Sequence, residues 1–201
     1  MDQKCGALER AKHIKLIIFD VDGVLTDGGI YIGAEGELYK PFFCRDGLGI
    51  TLAHKAGIKT AIITGRNSKQ VAFRAQELHI SEVFQGKLDK RTAYQELKEK
   101  LGLRDEEIGY IGDDLIDLPI LLQVGLPMAV NDAVAEVRQE ALLTASYPGG
   151  RGAVRELIEF ILKAQGKWQA LMQDFYPSAS PTSGELAQLS GNSEASVIGG
   201  T

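Results

Sequence analysis

The chain has 201 residues, with 22 Lys and Arg against 27 Asp and Glu, a net charge of −5, 44% hydrophobic residues and 24% charged ones. Such a balance excludes a disordered or collagen-like chain and supplies enough apolar material for a core without staples. The acidic excess argues against a general nucleic-acid binder, which needs a basic stripe, and Cys5 and Cys44 are too few for a disulfide framework and lack metal-ligand spacing.

The first apolar run, Ile14-Lys15-Leu16-Ile17-Ile18-Phe19, stops at Asp20-Val21-Asp22-Gly23. Short, nearly continuous runs of this kind predict strands buried on both faces. Residues 30–43 predict a β-hairpin with a four-residue loop, Gly33-Ala34-Glu35-Gly36. Its Tyr31, Tyr39, Phe42 and Phe43 are many aromatics for an exposed excursion, and imply burial against a partner or a second subunit. Leu48, Leu52, Ala53 and Ala56 share a helical face that ends at Gly57.

A second strand, Lys59-Thr60-Ala61-Ile62-Ile63-Thr64, stops at Gly65-Arg66. After the capping residues Asn67-Ser68, Val71, Arg74, Ala75 and Leu78 recur at helical spacing. A short strand over 82–85 follows, then a helix carrying Ala93, Tyr94, Leu97 and Leu101 before Gly102. Strands over 108–111, stopping at Gly112-Asp113-Asp114, and over 126–130 come next. Val154, Leu157, Ile158, Ile161 and Leu162 form the clearest amphipathic stripe.

Alternation of strand and helix predicts an α/β fold: a doubly wound, Rossmann-like parallel sheet with a small hairpin flap. The expected folded unit spans residues 10–168, with the hairpin at 30–43. Residues 169–201, rich in Ser, Gly and Pro, are expected to form a flexible tail. No apolar run reaches the ~18 residues of a membrane span, and the polar N-terminus lacks a secretory core, so a cytoplasmic location is expected.

In doubly wound sheets ligands bind outside the carboxyl ends of the strands. Here those ends carry Asp20 and Asp22, then Thr64, then Asp113 and Asp114. A single aspartate at a strand end is ordinarily a turn or cap residue. Several crowded together repel unless a cation offsets them, and hard oxygen ligands suit Mg²⁺. The set points to a metal-dependent reaction on phosphate.

These residues carry a resemblance. Phe19-Asp20-Val21-Asp22-Gly23-Val24-Leu25-Thr26-Asp27-Gly28 is similar to the first motif of the haloacid dehalogenase superfamily, Ile63-Thr64-Gly65-Arg66 to its second, Lys90 to its third, and Gly112-Asp113-Asp114-Leu115-Ile116-Asp117 to its fourth. The resemblance implies that Asp20 is the nucleophile forming an aspartyl-phosphate and that Asp22 is the acid and base. An aspartate at the second position implies a phosphatase. Mg²⁺ would be held by the Asp20 carboxylate, the Asp22 backbone carbonyl and the Asp113 carboxylate. Thr64 and Lys90 would bind the phosphoryl oxygens. Asp117 either orients Lys90 or the metal shell, or caps a helix.

The intervals between motifs leave no room for a cap domain, so the site should be open. The hairpin and Phe43-Cys44-Arg45-Asp46-Gly47-Leu48-Gly49-Ile50 resemble the 3-deoxy-D-manno-octulosonate 8-phosphate (KDO 8-phosphate) phosphatase family, of lipopolysaccharide precursor synthesis. That resemblance implies a homotetramer assembled through the hairpins. It also implies substrate contacts from Asp22, Phe43, Cys44, Arg45, Asp46, Gly47, Thr51, Arg66, Arg74 and Lys90. Arg66 and Arg74 are expected on one helix face, where with Arg45 they would bind a sugar-acid carboxylate. Arg151, in Pro148-Gly149-Gly150-Arg151, is either a helix-start charge or a ligand contact.

Two alternatives remain at this level: a nine-carbon sialic-acid-type 9-phosphate as substrate, and a receiver-like signalling domain. No GxxxxGK[ST] loop is present, and Gly47-Leu48-Gly49 lacks the third glycine of a dinucleotide fingerprint.

Overall fold

Leu16-Ile17-Ile18-Phe19, buried along its whole length, forms strand β1. The computed structural model describes residues 3–176, and the Ser- and Pro-rich part of the expected tail, from residue 177, lies outside the described residues. After β1 (Leu16–Phe19) come an antiparallel pair, β2 (Tyr31–Gly33) and β3 (Gly36–Tyr39), and then β4 (Lys59–Ile63), β5 (Glu82–Phe84), β6 (Ile108–Gly112), β7 (Leu126–Ala129) and β8 (Leu143–Thr144). Apart from the β2–β3 pair, all lie in one parallel sheet ordered β5-β4-β1-β6-β7-β8. β1 is central, with Phe19 beside Ile62 of β4 and Ile111 of β6.

Helices α1 (Gln3–Ala11), α2 (Cys44–Lys55), α3 (Lys69–Glu77), α4 (Lys90–Leu101), α5 (Leu118–Leu121), α6 (Ala135–Glu140), α7 (Ala153–Ala164) and α8 (Trp168–Gln173) complete the described chain. One group packs α1 and α2 on α7, and another packs α4 and α6 on α5. The stripe on α7 buries Val154, Leu157, Ile158, Ile161 and Leu162, each worth about 1.5–3 kcal/mol for a side chain of this size. α1 seats Ala7 and Ala11 in the core, so ordered structure reaches upstream of residue 10. Residues 169–173, at the start of the segment expected to be tail, are helical as part of α8.

The hairpin is shorter than its sequence pattern. Gly33 pairs with Gly36, leaving Ala34-Glu35 as a two-residue turn, and Gly36 takes the left-handed φ of 111° that only glycine adopts freely. Tyr31 and Tyr39 stack on each other with ring centroids 4.4 Å apart, and Tyr39 remains 47% exposed. Phe42 and Phe43 lie beyond the ribbon, beside Leu25, Ile50, Ile62 and Val71 of their own chain. Ile32 and Leu38 do stay outward, 76% and 65% exposed.

Candidate active site

The strand order β4-β1-β6 brings Thr64, Asp20 and Asp113 to neighbouring strand ends. Beyond Asp20 the chain turns sharply: the Val21 carbonyl accepts from the N–H groups of Val24, Leu25 and Thr26. Gly23 passes against Asp113 with φ of 93°, and a β-carbon there would fall 2.0 Å from Asp113 Oδ2. Gly149 and Gly150 press on the same turn, with the Gly150 N–H donating to the Val24 carbonyl at 2.9 Å.

Lys90 opens α4, capped by Asp89, whose side chain accepts from the Arg91 N–H. A lysine in a first turn opposes the helix dipole, and here its head is withdrawn from water. Nζ lies 2.9 Å from Asp20 Oδ1, as an ion pair outside hydrogen-bond angles, and donates to Asp117 Oδ1 at 2.6 Å. Burial pulls the Lys90 ammonium's pKa down, but the Asp20 and Asp117 carboxylates outweigh it and raise the pKa overall.

Asp117 is both of the things its sequence position allowed. Oδ1 accepts from Lys90 and, at 2.6 Å, from the Tyr110 hydroxyl, while Oδ2 accepts from the N–H groups of Asp113 and Asp114. It caps the turn that carries Asp113 and holds Lys90 at once. Tyr110 was missed in the sequence, although a phenol inside a strand buried on both faces needs a partner for its hydroxyl.

Asp20, Asp113 and Asp117 each place an oxygen within 4.8 Å of the others. Burial raises Asp113 to about 8, helped by Asp20 and Asp117; burial also raises Asp20 to about 6, Lys90 opposing. Asp20 Oδ1 and Asp113 Oδ1 are buried and, among the described residues, accept no hydrogen bond, the first facing Lys90 as an ion pair. With Asp117 saturated by four donors, the carboxylates of the cluster left to take a cation are those of Asp20 and Asp113, and an all-oxygen set suits Mg²⁺.

The Asp22 carboxylate is engaged from the hairpin side. Its Oδ1 accepts from Lys40 Nζ, and Arg66 Nε lies 3.8 Å from its Oδ2. Lys40 in turn pairs with Glu37 at 2.9 Å. Neither Lys40 nor Glu37 stood out in the sequence, because charges three apart look like an ordinary surface pair.

Other expected substrate residues are dispersed. Arg66 precedes α3, so it shares no helix face with Arg74. Arg74 pairs with Glu77 at 2.7 Å, overlies Gly47, and keeps a buried Nε without a hydrogen-bond partner. With Cys44, Tyr39, Lys40 and Phe42 it lines an open groove of about 620 Å³. Arg45 is not brought there; it lies 4.8 Å over the Phe43 ring and lines a separate cleft with Tyr147, Arg155 and Glu159. Asp46 is turned inward, its carboxylate accepting from the N–H groups of Gly152 and Arg155 at the start of α7. The Thr51 hydroxyl donates to the Gly47 carbonyl within α2. Arg151 reaches Asp27 at 3.3 Å.

Residues 77–157 match the family model for haloacid dehalogenase-like hydrolases. The chain is 48% identical over 160 residues to 3-deoxy-D-manno-octulosonate 8-phosphate phosphatase KdsC of Yersinia pestis, covering 80% of this chain and 86% of that one. A crystal structure of the Yersinia pestis phosphatase superposes with a TM-score of 0.80 at 47% identity, over 82% of this chain and 89% of that one. The phosphatase of Moraxella catarrhalis, solved with magnesium, phosphate and KDO, gives 0.83 at 44%, over 85% of this chain and 98% of that one.

Proposed function

The chain belongs to the KDO 8-phosphate phosphatase family of haloacid dehalogenase-like hydrolases, and we propose that it hydrolyses 3-deoxy-D-manno-octulosonate 8-phosphate to the free sugar acid and inorganic phosphate. The carrying observation is the pair of buried carboxylates of Asp20 and Asp113, each with an oxygen that accepts no hydrogen bond among the described residues, with Lys90 ion-paired to Asp20. A receiver-like signalling domain is set aside, since the chain's relatives are phosphatases.

In this reading an Asp20 carboxylate oxygen attacks phosphorus. The bond from phosphorus to the sugar oxygen breaks as that oxygen takes a proton from Asp22. Water then attacks the aspartyl-phosphate, giving a proton to Asp22 and restoring the Asp20 carboxylate as phosphate leaves. Lys90 and Thr64 bind phosphoryl oxygens through both steps. Asp20, the Asp22 carbonyl and Asp113 would hold Mg²⁺, which when bound would supply positive charge where the transferring group gathers negative charge.

Arg74, with its spare buried Nε, and Arg66 are the residues proposed for the sugar-acid carboxylate, with Phe43, Cys44 and Gly47 beside them. A homotetramer through the hairpin is proposed from the outward Ile32 and Leu38. Among the described residues no helix is long and apolar enough to cross a membrane, in keeping with a cytoplasmic enzyme of lipopolysaccharide precursor synthesis. The test is phosphate release from KDO 8-phosphate, from a nine-carbon sialic-acid-type 9-phosphate and from simple hexose phosphates, each with Mg²⁺ and with EDTA. Preference for the eight-carbon ester, lost in EDTA and in Asp20→Asn, is expected; preference for the nine-carbon ester would change the substrate, and EDTA-resistant turnover would remove the mechanism.

A further inference from the structure

We infer that Lys40 is a positioning residue for the acid–base step, holding one oxygen of Asp22 so that the other is presented to the leaving group and to water. This rests on the reading of Asp22 given above. Lys40 directly follows β3, and its side chain is only 1% exposed. A lysine ammonium stripped of water persists only between anions. Its two are Asp22, through Oδ1, and Glu37, through Oε1 at 2.9 Å.

The geometry at Asp22 is asymmetric. Oδ1 is occupied by Lys40, whereas the cation recorded nearest Oδ2 among the described residues is the half-exposed Arg66, with Nε 3.8 Å away. An aspartate in a turn rotates readily about its side-chain torsions, and a proton donor must be fixed within a narrow geometry to act. Lys40 removes that rotation. Glu37 offsets the charge that Lys40 brings, so the ammonium serves as an oriented donor rather than as an unbalanced cation.

Lys40 also joins the hairpin to the reacting centre. Its second anion, Glu37, lies in β3 and accepts from the Ser68 hydroxyl at 2.5 Å, and the Gln70 side chain donates to the Glu37 carbonyl at 3.3 Å. Ser68 is held in turn, its N–H donating to Gln85 at 2.7 Å. The hairpin root, the start of α3 and Asp22 therefore form one unit joined by hydrogen bonds and ion pairs, with Lys40 as the link to the carboxylate.

The test compares first-turnover rates on KDO 8-phosphate, whose alkoxide must be protonated, and on p-nitrophenyl phosphate, whose phenolate leaves unaided. Lys40→Met should slow alcohol release from the sugar ester by about 10–100-fold, within the range of a mispositioned general acid. Release of p-nitrophenol should change by less than about 3-fold, KM for the sugar ester should stay similar, and Lys40→Arg should recover most of the lost rate. Equal losses on the two esters, no loss, or a loss that Arg does not rescue would overturn the inference. Lys40→Gln replaces Lys40→Met if the latter does not fold, and failure of both to fold would assign Lys40 to stability instead. Asp22→Asn, run alongside, separates the two claims. If it keeps the wild-type rate on the sugar ester, the reading of Asp22 fails; if it is inactive while Lys40→Met is unaffected, only the role of Lys40 fails.

Discussion

Gly23 and Asp113 are in contact such that a single added methyl would overlap the carboxylate, 2.0 Å from Oδ2. Gly23→Ala should therefore push Asp113 out of line and strain a φ of 93°, a backbone penalty of roughly 1–2 kcal/mol. Expected are a lower melting temperature and Mg²⁺ affinity weakened by at least about 10-fold, in the range seen when groups supporting a metal ligand are disturbed. A calorimetric titration with Mg²⁺ measures it. Wild-type affinity would mean that Asp113 does not bind the metal.

Asp117 takes four donors without exposure to solvent. Asp117→Asn removes the charge facing Lys90 and turns an amide against the Tyr110 hydroxyl or the backbone. Breaking one side of a buried pair costs about 3–5 kcal/mol, so denaturant unfolding should show a loss of that order, with turnover reduced as well. A variant as stable as wild type would show that Lys90 finds enough compensation in Asp20 alone.

Proton linkage gives a signed prediction. Asp113 at about 8 and Asp20 at about 6 lie above the ordinary carboxylate value. Between about pH 4 and pH 8 the folded, metal-free chain therefore holds protons that the unfolded chain has lost. The stability from these groups is fully present at low pH and is lost as pH rises through about 8. Mg²⁺ takes the ionised form, so the rise in melting temperature that it causes should be larger at pH 8.5 than at pH 6. Binding near pH 7 should also release about one proton, read from titrations in buffers of different ionisation enthalpy. A stabilisation independent of pH would contradict the assignment, and Asp113→Asn should abolish the trend.

Asp46 caps α7 through two backbone N–H groups. Asp46→Ala should lower stability by about 0.5–2 kcal/mol, the range for a lost cap, while kcat and KM of the folded fraction stay near wild type. A KM raised tenfold or more would return Asp46 to the substrate, where its place in the sequence had suggested it.

Ile32 and Leu38 lie outward on the hairpin at 76% and 65% exposure. If subunits meet there, Ile32→Glu with Leu38→Glu should lower the mass measured by light scattering from that of a tetramer to that of a smaller species. The melting temperature of the dissociated chain should change little, because neither side chain belongs to the core. A tetramer that survives both changes would place the contact elsewhere.

Much of the fold is legible in the chain because parallel strands covered on both faces must be written as apolar runs. β1, β4, β6 and β7 appear this way, while β5, a half-buried strand at the end of the sheet, shows only a shorter run. α5, α6 and β8 do not, since at four, six and two residues they are too short to show a period. The acidic centre is legible for a related reason: the strand ends are where the runs break, and Asp20, Thr64 and Asp113 stand at those breaks. Side-chain direction is another matter. Asp46 and Arg45 are neighbours in a run of polar residues, yet one turns inward to cap α7 and the other rests on Phe43.

What the sequence determined by itself is the parallel sheet and the placing of Asp20, Thr64 and Asp113 at the carboxyl ends of its strands, because strands buried on both faces are written as apolar runs and these residues stand where the runs break. Which of those charges share a partner was decided only in three dimensions. Lys40 meets Asp22, and Lys90 meets Asp117, across 18 and 27 residues of chain. A buried ion pair is set by distance and desolvation between segments that the linear order keeps apart.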